Sequence, residues 1–141
     1  MSAFLDTSAA YALMVRTEER HQEVVRTFRG LLESGRPLQT TAYVVVETLA
    51  LRQHRIGLAA VRDLVEHVLP VLSVTWVEEG LHRRGLERLI REDRRGLSFV
   101  DCVSLEFMRS RELQDAFALD AHFGEFGFRL LPPPRPPRRS S

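Results

Sequence analysis

Four acidic residues each sit inside or at the end of an apolar run. Asp6 follows Ala3-Phe4-Leu5, Glu47 follows Tyr43-Val44-Val45-Val46, Asp101 follows Leu97-Ser98-Phe99-Val100, and Asp120 follows Ala116-Phe117-Ala118-Leu119. A carboxylate beside buried strands is costly unless it is hydrogen-bonded, ion-paired or bound to a cation. Four such cases in 141 residues ask for a shared explanation, and the simplest is one pocket around a divalent metal. Like charges at close range repel and raise one another's pKa, so the cluster suits a hard, oxygen-seeking ion such as Mg²⁺ or Mn²⁺. Each acid also has a local explanation. Asp6 and Asp120 can cap the helices that follow them, and Ser98-Phe99-Val100-Asp101 spells a capping box. Glu47 can belong to a solvated stripe shared with His54, although Val46, Leu49, Ala50 and Leu51 describe a mostly buried segment. Capping and metal binding do not exclude each other.

Bringing these acids together requires a scaffold, and short apolar runs alternating with helical stretches describe an α/β domain with a mostly parallel central sheet flanked by helices. Residues 3–5 read as a strand, 8–15 as a short helix, and 19–34 as a second helix stopped by Gly35 and Pro37. Residues 41–55 have strand-like valines, but the run to Arg55 is too long for a strand and Thr40 or Thr41 can cap it, so it reads as a helix. A helix over 58–68 ends at Pro70, and Val71–Val74 gives a strand. Helices follow over 77–94 and 98–110, then a strand at 116–119, a short turn at Phe123, and a closing strand at 128–131. In parallel α/β sheets ligands gather outside the carboxyl ends of the strands, where Asp6 and Asp120 fall. Asp101 in the first turn of its helix and Glu47 in the second turn of its own can project toward the same edge.

One domain over residues 1–131 accounts for the pattern, and 44% hydrophobic content is enough for a single core. The sequence Pro-Pro-Pro-Arg-Pro-Pro-Arg-Arg-Ser-Ser of residues 132–141 cannot build a core and reads as an extended or disordered tail. A formal charge of +1, with 20 basic residues against 19 acidic ones, gives no net-charge argument for nucleic acid. All the basic residues are arginine, which suits bidentate phosphate contact and equally fits coding bias. The lone Cys102 excludes a disulfide framework and a cysteine metal cluster. A reducing cytoplasm fits, and nothing approaches a membrane span or a secretion signal.

The order and spacing of Phe4-Leu5-Asp6-Thr7-Ser8, Val46-Glu47-Thr48-Leu49, Leu97-Ser98-Phe99-Val100-Asp101 and Ala118-Leu119-Asp120-Ala121-His122-Phe123 resemble the PIN-domain nucleases. The likeness is strongest to the VapC-like toxin branch of bacterial toxin–antitoxin pairs, and it spans Phe4 to Leu131. Two positions depart from the pattern. The family often carries Thr or Ser just before its last acid, where this chain has Ala118 and Leu119, and Cys102 stands where Ala is common. The resemblance implies a PIN-like fold and a metal-dependent endoribonuclease in which Asp6, Glu47, Asp101 and Asp120 hold one or two Mg²⁺ or Mn²⁺ ions. It also implies an RNA substrate, a homodimer and an antitoxin partner. The apolar helices at 8–15 and 19–34 offer such a partner a groove, or are internal packing or dimer surface.

Other residues fill auxiliary roles in this reading. Ser8 can bond a metal-bound water or a ligand carboxylate, or simply cap its helix. His122 can contact phosphate or move a proton, or be an ordinary turn histidine. Arg84 and Arg88, with Arg91 and Arg95, recur at helical spacing, and Arg52 and Arg55 follow Glu47. Either set can track phosphates, or be a solvated face with pairs such as Arg83–Glu87 and Arg88–Glu92. A haloacid-dehalogenase-like phosphatase would need an acid at Ser8, and a phosphorelay receiver would need a late lysine that the chain lacks. The remaining rival is a catalytically weak PIN-like protein acting as a binding or scaffold module.

Overall fold

The computed structural model describes residues 1–55 and 57–136, with the side chains of 52–55 outside that description. Arg52 and Arg55, expected near RNA, therefore lie outside the described side chains. Five strands form one sheet: β1 (Ala3–Leu5), β2 (Leu38–Thr41), β3 (Leu72–Thr75), β4 (Asp115–Phe117) and β5 (Arg129–Leu131), in the order β3-β2-β1-β4-β5. Every pairing is parallel, so the α/β expectation holds with no antiparallel strand among the described residues. Helices α1 (Thr7–Met14), α2 (His21–Glu33), α3 (Ala42–Arg55), α4 (Leu58–Asp63), α5 (Glu79–Glu92), α6 (Phe99–Ser110) and α7 (His122–Glu125) supply the crossovers.

Side-chain alternation divides the sheet between two cores. Phe4 and Ala116 face one core, with Phe107 and Met108 of α6 and Phe123 of α7. The Phe4 ring centroid lies 5.7 Å from that of Phe107 and 6.1 Å from that of Phe123. Ala3, Leu5 and Phe117 face the other core, against Ala9, Ala10 and Ala12 of α1 and Val24 and Leu31 of α2. Burying one such phenylalanine contributes about 2–3 kcal/mol, so the faces of β1 and β4 fix the position of the residues that follow them. The α1 and α2 side chains just named are spent on internal packing, one of the roles the sequence left open for these helices.

Two local expectations need correction. The segment Leu38-Gln39-Thr40-Thr41 is a strand, whereas the sequence suggested only a helix start near Thr41. Its one aliphatic residue gives a weak signal, and pairing on both sides makes the strand. Thr40 and Thr41 are wholly buried, the Thr40 hydroxyl donating to Leu5 O at 2.8 Å and Thr41 Oγ1 accepting from Val44 N at 3.3 Å. The helix expected over 58–68 is α-helical only to Asp63, continues as a π-helical turn over Leu64–Val68, and tightens to a 3₁₀ turn at Leu69–Val71 around Pro70. The described part of the tail lies against the start of α2, where Arg135 pairs with Glu19 at 3.2 Å and Glu23 at 3.3 Å, and Arg20 donates to Pro133 O at 2.8 Å. Residues 137–141 are outside the described residues.

Gly85 sets how closely α5 and α6 pack. A Cβ there would meet Val103 Cγ2 at 2.5 Å, so only glycine permits the approach. Leu81, Gly85 and Arg88 form the inward face of α5.

Candidate active site

Asp6 leaves the carboxyl end of β1 and caps α1. Its Oδ2 accepts from Ser8 N at 3.1 Å and from the Ser8 hydroxyl at 2.6 Å, while Oδ1 is buried with no hydrogen-bond partner. The residue is 2% exposed. Burial pushes its pKa up to about 7, the Ser8 bonds pull against that, and the Asp101 charge adds to it. Asp115 is the instructive contrast. It is as deeply buried, at the opposite edge of the sheet, but Arg129 and Arg36 bond its carboxylate at 2.7 Å and 2.5 Å. Burial raises its pKa too, and the two guanidiniums more than reverse the effect. Asp6 has no such cation among the described residues.

Asp101 completes the expected capping box: its amide donates to Ser98 Oγ at 3.0 Å, and Ser98 N donates to Asp101 Oδ2 at 3.0 Å. Its pKa is raised, chiefly by burial and further by the Asp120 charge, against the backbone bond from Ser98. Asp120 lies beyond the end of β4, its Oδ1 accepting from His122 N at 2.9 Å. Asp101, Asp120 and His122 each offer a metal-compatible atom within 4.8 Å of the others. Asp6 and Asp101 thus each use one oxygen in a helix cap, whereas Asp120, expected to cap the next helix, accepts a local turn bond while Ala121 is the N-cap of α7; the second oxygen of each aspartate has no protein donor among the described residues. A buried, unpartnered carboxylate oxygen beside further carboxylates fits a divalent cation.

Ser8 ties the two halves of the pocket together. While donating to Asp6 it accepts from Leu119 N at 3.0 Å and Asp120 N at 3.3 Å. The hydroxyl absent from Ala118 and Leu119 is replaced by one reaching across from α1. Cys102 is a small, wholly buried core residue. Glu47 is half-buried in the second turn of α3, which starts at the same sheet edge, and like Asp6 it stands outside the tight group of Asp101, Asp120 and His122. His122 lies 2.9 Å from Gly96 O through Nε2. A carbonyl only accepts, so Nε2 carries the proton and the ring anchors the loop between α5 and α6.

That loop alters the reading of the basic stripe. Arg84 stays at the surface, 3.8 Å from Glu78, and Arg83 pairs with Glu79 at 2.6 Å instead of Glu87. Arg88 turns inward, correcting its expected role as a phosphate contact. It is 7% exposed, bonds Glu106 at 2.8 Å, lies 3.7 Å from Glu92, and covers the Phe126 ring at 5.3 Å. Arg94 is held by Glu125 and by the same ring. Arg95 sits at the tip of a turn closed by Leu97 N donating to Arg94 O at 3.3 Å, with Gly96 at φ +85°. It is exposed and has no ion-pair partner among the described residues. Sequence spacing placed it on a helix face, whereas the fold places it on the loop beside Asp120 and His122.

A parallel sheet with acids gathered beyond its carboxyl edge forms an acidic pocket whose oxygen donors suit a cation, and residues 3–129 match the family model described as the PIN domain. This chain belongs to that family, on its VapC-like branch. The 23S rRNA-specific endonuclease VapC20 of Mycobacterium tuberculosis is 35% identical over 127 residues, 89% of this chain and 94% of that protein. The crystal structure of that VapC20, described as a Sarcin-Ricin loop cleaving toxin, aligns with TM-score 0.78 and 36% identity over 90% of this chain and 96% of its own. FitAcB of Neisseria gonorrhoeae aligns with TM-score 0.68 at 12% identity, covering 91% of this chain and 95% of that one. DNA-bound VapBC of Salmonella typhimurium aligns with TM-score 0.65 at 17% identity, covering 92% and 97%. These last two likenesses concern the fold alone.

Proposed function

We propose that this protein is a divalent-metal-dependent endoribonuclease, the toxin of a type II toxin–antitoxin pair, whose substrate is a structured loop of ribosomal RNA. The observation that carries this reading is the set of aspartates Asp6, Asp101 and Asp120 at one sheet edge, each with one oxygen bonded to a local backbone amide and one without a donor among the described residues. The near full-length likeness to a 23S rRNA-specific endonuclease supports the substrate class. Asp6, Asp101 and Asp120, with Glu47 from α3, would hold Mg²⁺ or Mn²⁺. Such an ion supplies Lewis-acid activation of the phosphoryl group and lowers the pKa of an attacking water.

The chain's own residues prepare that pocket. Ser8 fixes the Asp6 carboxylate and the Leu119–Asp120 backbone in one bond network. His122 holds the 93–98 loop through Gly96, a positioning role that occupies the proton it would otherwise transfer. Arg84 and Arg95 remain as surface cations for the RNA backbone, Arg95 the nearer to the acids along the chain. An antitoxin and a second copy of the chain complete the proposal as partners. Among the described residues no helix is long and apolar enough to cross a membrane.

The test is incubation of purified protein with total RNA in Mn²⁺, in EDTA, and as Asp101→Asn, with the new ends mapped. Cuts confined to a few ribosomal loops, lost in EDTA and in the variant, are expected. Cuts that survive Asp101→Asn would contradict the reading, as would none at all from a protein that demonstrably binds Mn²⁺, which would favour a binding module.

A further inference from the structure

Trp76 is the only tryptophan of the chain and is 81% exposed. Large aromatic rings are usually well buried, so an indole left in water needs an account. Its neighbour Val77 packs against the core cluster built on Phe4 and Phe107, and Trp76 does not. Nearby aromatic side chains are already engaged. The Tyr43 hydroxyl lies 2.6 Å from His82 Nδ1, and the His82 ring meets Phe99 edge-on with centroids 5.0 Å apart. Tyr43 and Phe99 are partly buried against the same core, which leaves Trp76 as the ring presented outward.

Strand register places this ring. Phe4 is level with Gln39, and Gln39 with Ser73; Thr41 is level with Thr75. Continuing the β1–β2 register brings Asp6 level with Thr41 and Thr75, one residue short of Trp76. One strand, β2, separates the Asp6 and Trp76 backbones, two inter-strand spacings or roughly 10 Å across the sheet. Trp76 therefore leaves the same carboxyl edge as the acids, at a distance suited to a nucleotide neighbouring the reacting phosphate.

We propose that Trp76 is a substrate-binding residue, a platform on which an unpaired base of the RNA loop stacks. Resting on the nuclease reading above, this names how the substrate is held. RNA loops display unstacked bases, proteins recognise them by stacking on aromatic side chains, and an indole face accepts any base. The edge position of β3, paired only with β2 among the described strands, leaves room for a strand of RNA to pass beside it.

As the sole tryptophan, Trp76 reports its own occupancy. Asp101→Asn protein, blocked in cleavage, is titrated with a synthetic stem–loop RNA bearing a purine-rich loop while tryptophan emission is read and binding is measured independently by anisotropy of labelled RNA. Saturable quenching is expected. Adding Trp76→Ala should weaken binding about 5- to 100-fold, Trp76→Phe should recover most of it, and the melting temperature should stay unchanged because the ring is exposed. RNA binding with unchanged emission, and an alanine variant within about twofold of the parent, would overturn stacking and leave the nuclease reading intact. Emission that shifts with protein concentration alone would make the indole a protein–protein contact and equally overturn it. A wild-type chain that neither binds nor cuts RNA would remove the nuclease reading, and this inference with it.

Discussion

Replacing Asp6 by asparagine should make the metal-free protein more stable at alkaline pH, although the site is disarmed. The carboxyl pKa is raised from 3.8 to about 7 in the fold, which corresponds to about 4 kcal/mol of native-state penalty once the group is ionised. The sign follows from proton binding. Between the unfolded and folded pKa values the native state binds more protons, so stability falls as pH rises through this window and levels off above about 7. Asparagine removes that term and keeps an oxygen for Ser8, but its amide nitrogen takes the place of the unpartnered Oδ1 and costs about 1–3 kcal/mol. The net expectation is a gain of about 2 kcal/mol at pH 8, or roughly 6–8 °C in Tm for a chain of this size. At pH 5 wild-type Asp6 is protonated in the fold and the gain should be close to zero. Mn²⁺ at a hundredfold excess over its Kd should then stabilise wild type by about 2.7 kcal/mol and the variant by far less. The assay is thermal unfolding of both proteins from pH 5 to 8, in chelator and in Mn²⁺. A pH-independent difference in chelator, or a variant less stable at every pH, would refute the idea that Asp6 is held as an unsatisfied buried carboxylate.

Two further outcomes follow from the same geometry. Ser8→Ala removes the link between Asp6 and the Leu119–Asp120 backbone, and should lower Mn²⁺ affinity roughly 10-fold by calorimetry; an unchanged affinity would confine Ser8 to helix capping. Arg95→Ala should leave Tm alone and reduce the salt slope of RNA binding by about one, whereas Arg88→Ala should leave the slope alone and cost about 3 kcal/mol by leaving the largely buried Glu106 charge unpaired. Reversal of these two behaviours would show that the arginines have been assigned to the wrong roles.

The acids were legible in the sequence because each ends or interrupts an apolar run, and the capping box was legible because its spacing is local. Strand β2 was not legible, since one leucine and two threonines carry little hydrophobic signal and its stability comes from neighbours distant in sequence. Helical spacing showed that Arg84, Arg88 and Arg91 lie near one another, yet could not say which side of α5 meets α6. The decisive residue was Gly85, one turn before Arg88, whose missing side chain lets the helices close on that face. Trp76 falls between the strand expected over 71–74 and the helix expected over 77–94, with nothing local to single it out, and only the register across three strands brings it to the acid-bearing edge. Glu47 was named from sequence, and the fold carries its helix to the right edge without bringing its carboxylate into the tight group.

Capping and metal binding, which the sequence left compatible for each aspartate, remain compatible in the fold for Asp6 and Asp101. A cap needs one carboxylate oxygen, and it fixes the direction of the second. Asp6 Oδ2 serves α1 and Asp101 Oδ2 serves α6, while Asp120 Oδ1 accepts from His122 N two residues on, so each carboxylate is oriented by backbone geometry before any ligand arrives. Preorganisation of this kind lowers the conformational cost of binding an ion. It also explains how the chain tolerates Ala118 and Leu119 where relatives often carry a hydroxyl: the Leu119 and Asp120 amides are satisfied by Ser8, which is itself oriented by Asp6. The final acid is thereby positioned by the first, and the two ends of the chain are coupled through a single hydroxyl at the centre of the pocket.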